Sequence, residues 1–330
     1  MNSFHMKYRV TAILLLLGFY CALGTPDEKK YDFVVDKNGG GDFKTVQEAI
    51  NAVPDYRKKE TRIFIKNGKY KEKLILPQSK NNVTMIGESM TYTIITYDDY
   101  DTKKNVFGEE MGTTGSSSFF IFGEDFKARN ITFQNSAGHV GKAVAVRVES
   151  DRVIFENCKF LGNQNTLYLH GKQSRQYYKN CYIEGTVDFI FGWSTAVFES
   201  CVINCKGKGF VTAASTPEES PYGFVFTNSR ITGRGSSTFF LGRPWRPYAK
   251  TVYINCYMSK HVEPKGWDDW GKPEVELTAF YAEYNSSGPG ADTEERVSWS
   301  CQLSDGDAEK YTTEHILKGE DDWNPEKIRF

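Results

Sequence analysis

The sequence lacks a charge excess, and it lacks the short motifs of several large enzyme classes. Its 41 basic and 42 acidic side chains give a formal net charge of −1, so the chain has no positive field with which to hold nucleic-acid phosphates. It contains no Gly-x-Ser-x-Gly elbow, no Gly-x-Gly-x-x-Gly turn, no P-loop and no Cys-x-x-Cys or paired-histidine spacing. These absences argue against a nucleic-acid partner, an α/β-type serine hydrolase, a nucleotide-binding enzyme and a zinc site.

Long hydrophobic runs are also missing. No segment approaches 18 consecutive apolar residues, so no transmembrane segment is expected. Two basic residues precede an apolar run at 13–17, and small residues stand just before Thr25, a pattern typical of a secretory signal peptide. We therefore predict that residues 1–24 are cleaved and that the mature protein is secreted or periplasmic. A lipid-anchored form processed at Cys21 fits less well, because the bulky Tyr20 precedes that cysteine.

The middle of the chain is repetitive, within a globular composition of 39% hydrophobic and 15% aromatic side chains. An aromatic residue, a polar pair and a small residue recur in alternating apolar and polar positions, as in segments 155–160 and 178–183. Repeats about 20–30 residues apart with the period-two pattern of strands indicate an all-β solenoid, a parallel β-helix whose successive coils stack equivalent side chains. The aromatic residues that begin the units are Phe155, Tyr178, Phe198, Phe226 and Tyr253.

Four cysteines occupy the small-residue position of this repeat, and six cysteines in all follow residue 24. An even count in an exported protein favours disulfides, but the stacking predicts a buried column of free thiols instead. A local pair between Cys201 and Cys205 stays open. The predicted column consists of Cys158, Cys181, Cys201 and Cys256.

The two ends of the solenoid show different patterns. Residues 45–53 open with a capping-box sequence and stop before a proline, which predicts a short N-terminal helix over the first coil. Residues 62–76 predict two strands joined by a turn at Asn67-Gly68. From about residue 283 the pattern dissolves, and we expect an irregular tail packed along the outside of a single domain that spans 25–330.

One carboxylate stands within an apolar, aromatic strand. Asp188 lies in the segment Gly185–Gly192, and burying an ionised carboxylate there is costly unless a cation or several donors lie near it. Arg243, in the segment Leu241–Trp245 of a later coil, can supply the cation. The pair either braces adjacent coils or forms the centre of an active site.

Together these segments resemble the pectin methylesterases (pectinesterases), carbohydrate esterases with a right-handed, single-stranded parallel β-helix fold of the pectin-lyase type. The resemblance runs from Gly41 to about Tyr284, most of the predicted mature chain. Five family motifs occur in order, which makes the resemblance specific although each motif alone is weak. Gly68–Glu72 matches Gly-x-Tyr-x-Glu, Lys142–Val146 corresponds to Gln-Ala-Val-Ala-Leu, Gln164–Tyr168 corresponds to Gln-Asp-Thr-Leu-Tyr, and the segments of Asp188 and Arg243 match Asp-Phe-Ile-Phe-Gly and Leu-Gly-Arg-Pro-Trp.

The resemblance implies hydrolysis of galacturonate methyl esters in pectin. Asp188 would be the nucleophile on the ester carbonyl, Arg243 would orient it, and Gln164 would donate to the oxyanion. Water would then cleave the acyl-enzyme, so that methanol and de-esterified pectate are released. No metal or organic cofactor is implied, the partner is a homogalacturonan-type polysaccharide, and we expect a monomer. The implied substrate contacts are Tyr168, Phe191, Trp245 and Val187.

Two positions depart from the family pattern. Asn165 stands where the family has its acid–base aspartate, and Lys142 stands where it has the first oxyanion glutamine. An amide cannot carry the proton, and general acid–base assistance is typically worth ~10²–10⁴-fold. Lys142 could replace the carrier if apolar neighbours desolvate it, or its ammonium could stabilise the oxyanion while a water relays the proton. The alternatives are a catalytically impaired pectin-binding homologue and a galacturonan lyase or hydrolase on the same fold.

Overall fold

The computed structural model describes residues 30–171 and 173–330, and residues 31–330 form one compact unit. The predicted signal peptide, residues 1–24, lies outside the described residues. Within the described ranges, no helix has both the length and the apolar character needed to span a membrane.

Strands dominate the described chain, with a few short helices at its ends and in one loop. The strands are β1 (Phe33–Val35), β2 (Thr61–Ile65), β3 (Gly68–Lys71), β4 (Leu74–Leu76), β5 (Val83–Gly87), β6 (Thr93–Tyr97), β7 (Phe119–Ile121), β8 (Lys127–Arg129), β9 (Thr132–Asn135), β10 (Val146–Val148), β11 (Val153–Glu156), β12 (Lys159–Leu161), β13 (Leu167–Leu169), β14 (Arg175–Lys179), β15 (Tyr182–Gly192), β16 (Thr195–Glu199), β17 (Val202–Ala214), β18 (Phe224–Thr227), β19 (Arg230–Gly233), β20 (Phe239–Pro244), β21 (Lys250–Ile254), β22 (Tyr257–Met258), β23 (Phe280–Tyr284) and β24 (Cys301–Gln302). The helices are α1 (Val46–Ala52), α2 (Gly112–Gly115), α3 (Asp305–Ala308) and α4 (Thr313–Leu317), with 3₁₀ turns at Pro273–Leu277 and Pro325–Lys327.

Each coil contributes strands to three faces, and each strand pairs with its equivalent on the next coil. One face is the sheet β1-β2-β5-β8-β11-β14-β16-β18-β21-β23-β24. The other two faces are β3-β6-β9-β12 and β4-β7-β10-β13, and both continue through the long strands β15 and β17, after which β19-β22 extends one face and β20 the other. The pairs between these strands are parallel. The predicted right-handed parallel β-helix is confirmed.

The aromatic residues that begin the repeat units stack in one column, as predicted. Phe155, Tyr178, Phe198, Phe226 and Tyr253 are register partners on β11, β14, β16, β18 and β21. Successive rings lie nearly parallel, with centroids between 4.5 and 5.1 Å apart. Such a stacked pair contributes about 0.5–1.5 kcal/mol beyond the burial of its area. The repeat read from the sequence is therefore the ladder that holds one coil on the next.

The predicted thiol column is also confirmed. The four repeat cysteines are buried and free, and Cys205 is free as well, so it forms no pair with Cys201. Each thiol donates to a carbonyl of the preceding coil, for example Cys201 to Tyr178 at 3.3 Å. Where one coil has Ser229 instead, its hydroxyl makes the equivalent bond to the Phe198 carbonyl at 3.1 Å. Small side chains at this position thus satisfy backbone carbonyls inside the solenoid.

The predicted capping helix closes the first coil. The Thr45 hydroxyl accepts from the Glu48 amide at 3.2 Å, and the Glu48 carboxylate accepts from the Thr45 amide at 3.1 Å, which is a complete capping box. The Glu72 carboxylate, one coil away, accepts from the first two amides of α1 at 3.0 Å each. The helix is thereby tied to the strands beneath it.

The predicted turn at Asn67-Gly68 joins β2 to β3, but it does not form a hairpin. The two strands belong to different faces of the solenoid, and each pairs in parallel with other coils. A hairpin needs two antiparallel neighbours, whereas here the chain turns a corner between faces.

The segment after β23 packs on the outer side of the first face. Ile316 and Leu317 of α4, together with Trp323, cover an apolar surface made by successive strands of that sheet. The covered residues include Ile154, Tyr177, Val197, Val225 and Val252. A cleft remains on the face formed by β13, β15, β17 and β20, and all the predicted site residues except Val187 line it.

Candidate active site

β15 presents Asp188 to the cleft because the strand is irregular at this point. Asp188 has a φ of +51°, and the pairing of β15 with β17 shifts register between Val187 and Ile190. A bulge of this kind re-aims a side chain. Phe189 and Ile190, the next two residues, are fully buried in the core, while Asp188 lines the cleft.

Arg243 reaches Asp188 from two coils away. In the register of β15, β17 and β20, Phe191 faces Ala213, and Ala213 faces Arg243. The small side chain of Ala213 leaves room for the guanidinium to extend across the intervening coil. Its Nε lies 2.9 Å from Oδ1 of Asp188 and its Nη2 lies 2.8 Å from Oδ2, so the contact is bidentate. The sequence-predicted pair is therefore formed.

Two aromatic rings fix the guanidinium in place. The Cζ of Arg243 lies 3.7 Å from the ring centroid of Phe210 and 3.7 Å from that of Trp270. Such cation–π contacts contribute about 0.5–2 kcal/mol each, more when the cation is desolvated. The carboxylate that it holds is consequently rigid, which suits a group that must attack along one direction.

Burial raises the pKa of Asp188. The carboxyl is 5% exposed, and loss of water favours its neutral form. Hydrogen bonds and charge from Arg243 oppose this effect, as does the charge of Lys142, while Asp268 adds to it. Burial outweighs the cations, so the carboxylate is more basic than an ordinary aspartate. A more basic oxygen is the better nucleophile.

Asn165 lies against Asp188 on the preceding coil. Its backbone adopts a φ of +63°, a region that asparagine and aspartate tolerate. Its amide N–H donates to the Val187 carbonyl at 3.1 Å, and its side-chain Nδ2 donates to the Asp188 backbone carbonyl at 3.3 Å. The side chain is buried beside the predicted nucleophile, but as an amide it has no proton to give up or accept.

Lys142 and Gln164 lie side by side on adjacent coils and line the same cleft. They form an isolated parallel bridge, and Ala143 donates its amide to the Gln164 carbonyl at 3.1 Å. Within the described chain neither side chain bonds to another residue, so both are available to a ligand. Gln164 is half-buried, whereas Lys142 is exposed. The desolvation on which the acid–base hypothesis for Lys142 rested is therefore absent.

The cleft has a volume of about 460 Å³, and its lining includes four aromatic side chains. Tyr168 and Phe191 stack with centroids 4.2 Å apart, and Trp245 lies 6.1 Å from Phe191. These three predicted substrate contacts are thus brought together. Val187 is not brought into the lining, because it is half-buried at the bulge and its carbonyl faces Asn165.

The sequence analysis missed two parts of the lining. Trp270 is one of the two rings that contact the Arg243 guanidinium, and its signal was the aromatic and acidic segment Trp267–Trp270 between β22 and β23. The loop Met111–Thr114 forms one wall of the cleft. Its Gly- and Thr-rich sequence carries no repeat pattern that points to the site.

That wall is held by a buried carboxylate outside the cleft. Asp99 is 2% exposed, and its two oxygens accept from Lys73 at 2.6 Å and from Lys103 at 2.8 Å. Lys73 also donates to the carbonyl of Gly115, at the end of the wall, at 2.7 Å. This network positions the loop relative to the strands that carry the site.

The arrangement favours attack by one carboxylate on a carbonyl. Asp188 is the only acidic side chain among the described residues that line the cleft, and amide and ammonium donors face the same space. A two-carboxylate glycosidase site needs a second acid at a defined distance, which this lining does not supply. Among the described residues, no group of three or more His, Cys, Asp or Glu side chains could hold a metal ion.

Comparisons with known proteins agree with this geometry. A family profile described as Pectinesterase matches residues 32–320. Pectinesterase 31 of Arabidopsis thaliana is 43% identical over 298 residues, which are 87% of this chain and 92% of that protein. The solved pectin methylesterase from carrot aligns with a TM-score of 0.82 at 36% identity, over 88% of this chain and 94% of its own. A pectin methylesterase solved in complex with a hexasaccharide aligns with a TM-score of 0.79 at 32% identity, over 89% and 98% of the two chains.

Proposed function

The chain belongs to the pectinesterase family, and from that premise we propose that it removes methyl esters from pectin with Asp188 as the nucleophile. It is a carboxylic ester hydrolase, and its substrate is pectin. The observation that carries the proposed mechanism is the bidentate Asp188–Arg243 pair, which holds one buried carboxylate in an aromatic cleft.

In the first step an oxygen of Asp188 bonds to the carbonyl carbon of a galacturonate methyl ester. The carbonyl oxygen becomes an oxyanion, which the Gln164 amide and the Lys142 ammonium stabilise. Collapse of this intermediate breaks the bond to methoxide, which takes a proton from water and leaves as methanol. The product of the step is an acyl-enzyme in which Asp188 is joined to the sugar carboxyl.

In the second step a water molecule attacks the acyl-enzyme, loses a proton to solvent, and releases galacturonate and free Asp188. Because Lys142 is exposed, we assign its ammonium to the oxyanion rather than to proton transfer. We therefore assign proton transfer to a water held beside Lys142, since Asn165 cannot perform it. Tyr168, Phe191 and Trp245 stack on the sugar rings.

The test is methanol release from methyl-esterified pectin. Asp188→Ala should lower the rate by ~10³-fold or more, because it removes the attacking atom. Asp292→Ala, an exposed aspartate outside the cleft, is the matched control and should keep the wild-type rate. Equal rates for wild type and Asp188→Ala would overturn the nucleophile assignment. Full activity of Lys142→Ala would overturn only the role given to Lys142.

A second candidate function is pectin binding without turnover, and one observation favours it. The buried amide of Asn165 occupies the place beside Asp188 where a proton carrier is needed. Binding of oligogalacturonides without methanol release would support this function. Shortened or unsaturated products would instead indicate a hydrolase or lyase, which the single carboxylate of the lining does not favour.

A further inference from the structure

The charged residues that line the cleft do not cancel. Three of the described lining residues carry charge, namely Asp188, Arg243 and Lys142. Asp188 and Arg243 neutralise each other through two hydrogen bonds at 2.9 and 2.8 Å. Because Asn165 is neutral, Lys142 leaves one net positive charge in the cleft.

The charge of Lys142 faces the ligand space. The side chain is exposed, lines the cleft and bonds to no other residue of the described chain. Its register partner is Gln164, the proposed oxyanion donor, and both line the cleft with Asp188, so Lys142 lies near the place proposed for the sugar carboxyl. A carboxylate of a bound ligand could form a charge-assisted hydrogen bond with this ammonium.

The substrate and product of the proposed reaction differ in charge at this point. A methyl-esterified galacturonate is neutral at its carboxyl group, whereas the de-esterified residue carries a carboxylate. The aromatic side chains Tyr168, Phe191 and Trp245 contact the sugar rings in the same way in both cases. A cleft with an excess positive charge can therefore distinguish the two ligands by their charge.

Two further cations lie near Trp245. Arg246 is exposed, with its Cζ 5.7 Å from the Trp245 ring centroid, and Lys272 donates to the Trp245 carbonyl at 3.4 Å. Asp268 accepts from the Trp270 amide and Asp269 from the Gly271 amide, both at 2.8 Å. These two carboxylates balance the two cations near Trp245, so the excess positive charge of the cleft is that of Lys142.

We propose that the cleft binds de-esterified galacturonate more tightly than its methyl ester, with Lys142 pairing with the free carboxylate. The inference rests on the proposed function for the placement of the sugar carboxyl in the cleft. The opposing charge of Asp188 is offset by the two N–H groups of Arg243.

The experiment is a calorimetric titration with de-esterified hexagalacturonate, which contains no ester and needs no turnover. Lys142→Gln should weaken binding about tenfold and reduce the salt dependence of the affinity, because an exposed ion pair is screened by salt. Lys58→Gln removes an exposed lysine outside the cleft and should leave the affinity unchanged. A change below about twofold for Lys142→Gln, or an equal loss for Lys58→Gln, would overturn the inference.

The specificity for charge is tested in an Asp188→Ala background, where the esterified ligand is not consumed. In that background, Lys142→Gln should weaken the binding of de-esterified hexagalacturonate about tenfold. It should weaken the binding of the fully methyl-esterified compound less than twofold. Equal losses for the two ligands would mean that Lys142 does not distinguish charge, and the inference would fall. Methanol release without Lys142-dependent binding overturns the inference alone, whereas Lys142-dependent binding without methanol release overturns only the proposed esterase.

Discussion

Replacing Asn165 by aspartate places a proton carrier beside the proposed nucleophile. In the wild-type chain the amide Nδ2 donates to the Asp188 carbonyl at 3.3 Å, in a buried position. A carboxylate cannot donate that bond, so an aspartate at 165 keeps it only when protonated. Burial disfavours the charged form as well. We therefore expect the pKa of the new carboxyl to lie above that of an ordinary aspartate, which makes the group an acid held next to the departing methoxide.

The expected gain follows from what proton transfer contributes to catalysis. General acid–base assistance is typically worth ~10²–10⁴-fold, so Asn165→Asp should raise kcat for methanol release by about 100-fold or more. KM should change little, because the aromatic contacts to the sugars stay in place. The gain should fall at high pH, where the new carboxyl ionises and can no longer donate a proton.

The same substitution has a cost in stability that depends on pH. Because the folded-state pKa at position 165 is raised above the unfolded value, the stabilising contact is fully present below the unfolded pKa. It is lost as pH rises through the folded pKa. Above that pH the free energy of unfolding should fall by about 1–3 kcal/mol, the usual cost of a buried acceptor left without its donor.

The control is Asn180→Asp, an exposed asparagine with nearly the same left-handed backbone, φ +53°. This variant should match the wild type in methanol release, and its stability should stay within about 0.5 kcal/mol. An Asn165→Asp rate within about twofold of wild type would refute the reasoning, because proton transfer would then not be what the site lacks.

Three further predictions concern the Asp188–Arg243 contact, the cleft wall Met111–Thr114 and the aromatic column of the core. Arg243→Lys replaces two hydrogen bonds to Asp188 by one point charge, which should raise the pKa of Asp188 further. In the proposed mechanism Asp188 attacks only when ionised, so the acid limb of the pH–rate profile should move to higher pH. An unmoved acid limb would contradict the role given to Arg243. Lys73→Met removes the contacts that hold the cleft wall, so it should raise KM more than it lowers kcat. Chemical denaturation should show a free energy of unfolding lower by about 1–2 kcal/mol. A fall in kcat with KM unchanged would contradict this role. Phe198→Ala opens a cavity in the aromatic column and should lower the free energy of unfolding by about 3–5 kcal/mol. Phe107→Ala, at an 84% exposed site, should lower it by less than about 0.5 kcal/mol. Equal losses would show that the column is not a main source of stability.

Features that repeat from coil to coil were predictable from the sequence. Stacking demands the same residue type at the same place in every coil, so the aromatic column and the thiol column could be read directly from segments such as 155–160 and 178–183. The Asp188–Arg243 pair was predictable for a different reason. A charge within an apolar strand has to find a partner, and Arg243, beside an aromatic residue on a later coil, was a candidate.

Features that depend on the connections between coils could not be predicted. The bulge at Asp188 arises from a register shift between strands of different length, which no local pattern shows. The wall Met111–Thr114 and Trp270 lie in irregular segments, and their position follows from tertiary contacts such as the one between Lys73 and Asp99. The exposure of Lys142 has the same origin, because flanking apolar residues do not determine whether a side chain faces the core or the cleft.

The fold does not require the ion pair that the site is built around. A buried carboxylate and guanidinium are rarely the most stable filling of such a space, since hydrophobic residues of similar volume are often equal or better. Here burial already penalises Asp188, as its raised pKa shows, and two aromatic rings are committed to holding Arg243. Asn165, in contrast, keeps the backbone geometry and the coil-to-coil bond of its position while it lacks a transferable proton. The proposed nucleophile and the arginine that holds it are therefore intact, and the two departures, Asn165 and Lys142, concern the proton carrier and one oxyanion donor. This argues for an esterase with altered proton transfer over a site that has lost its chemistry.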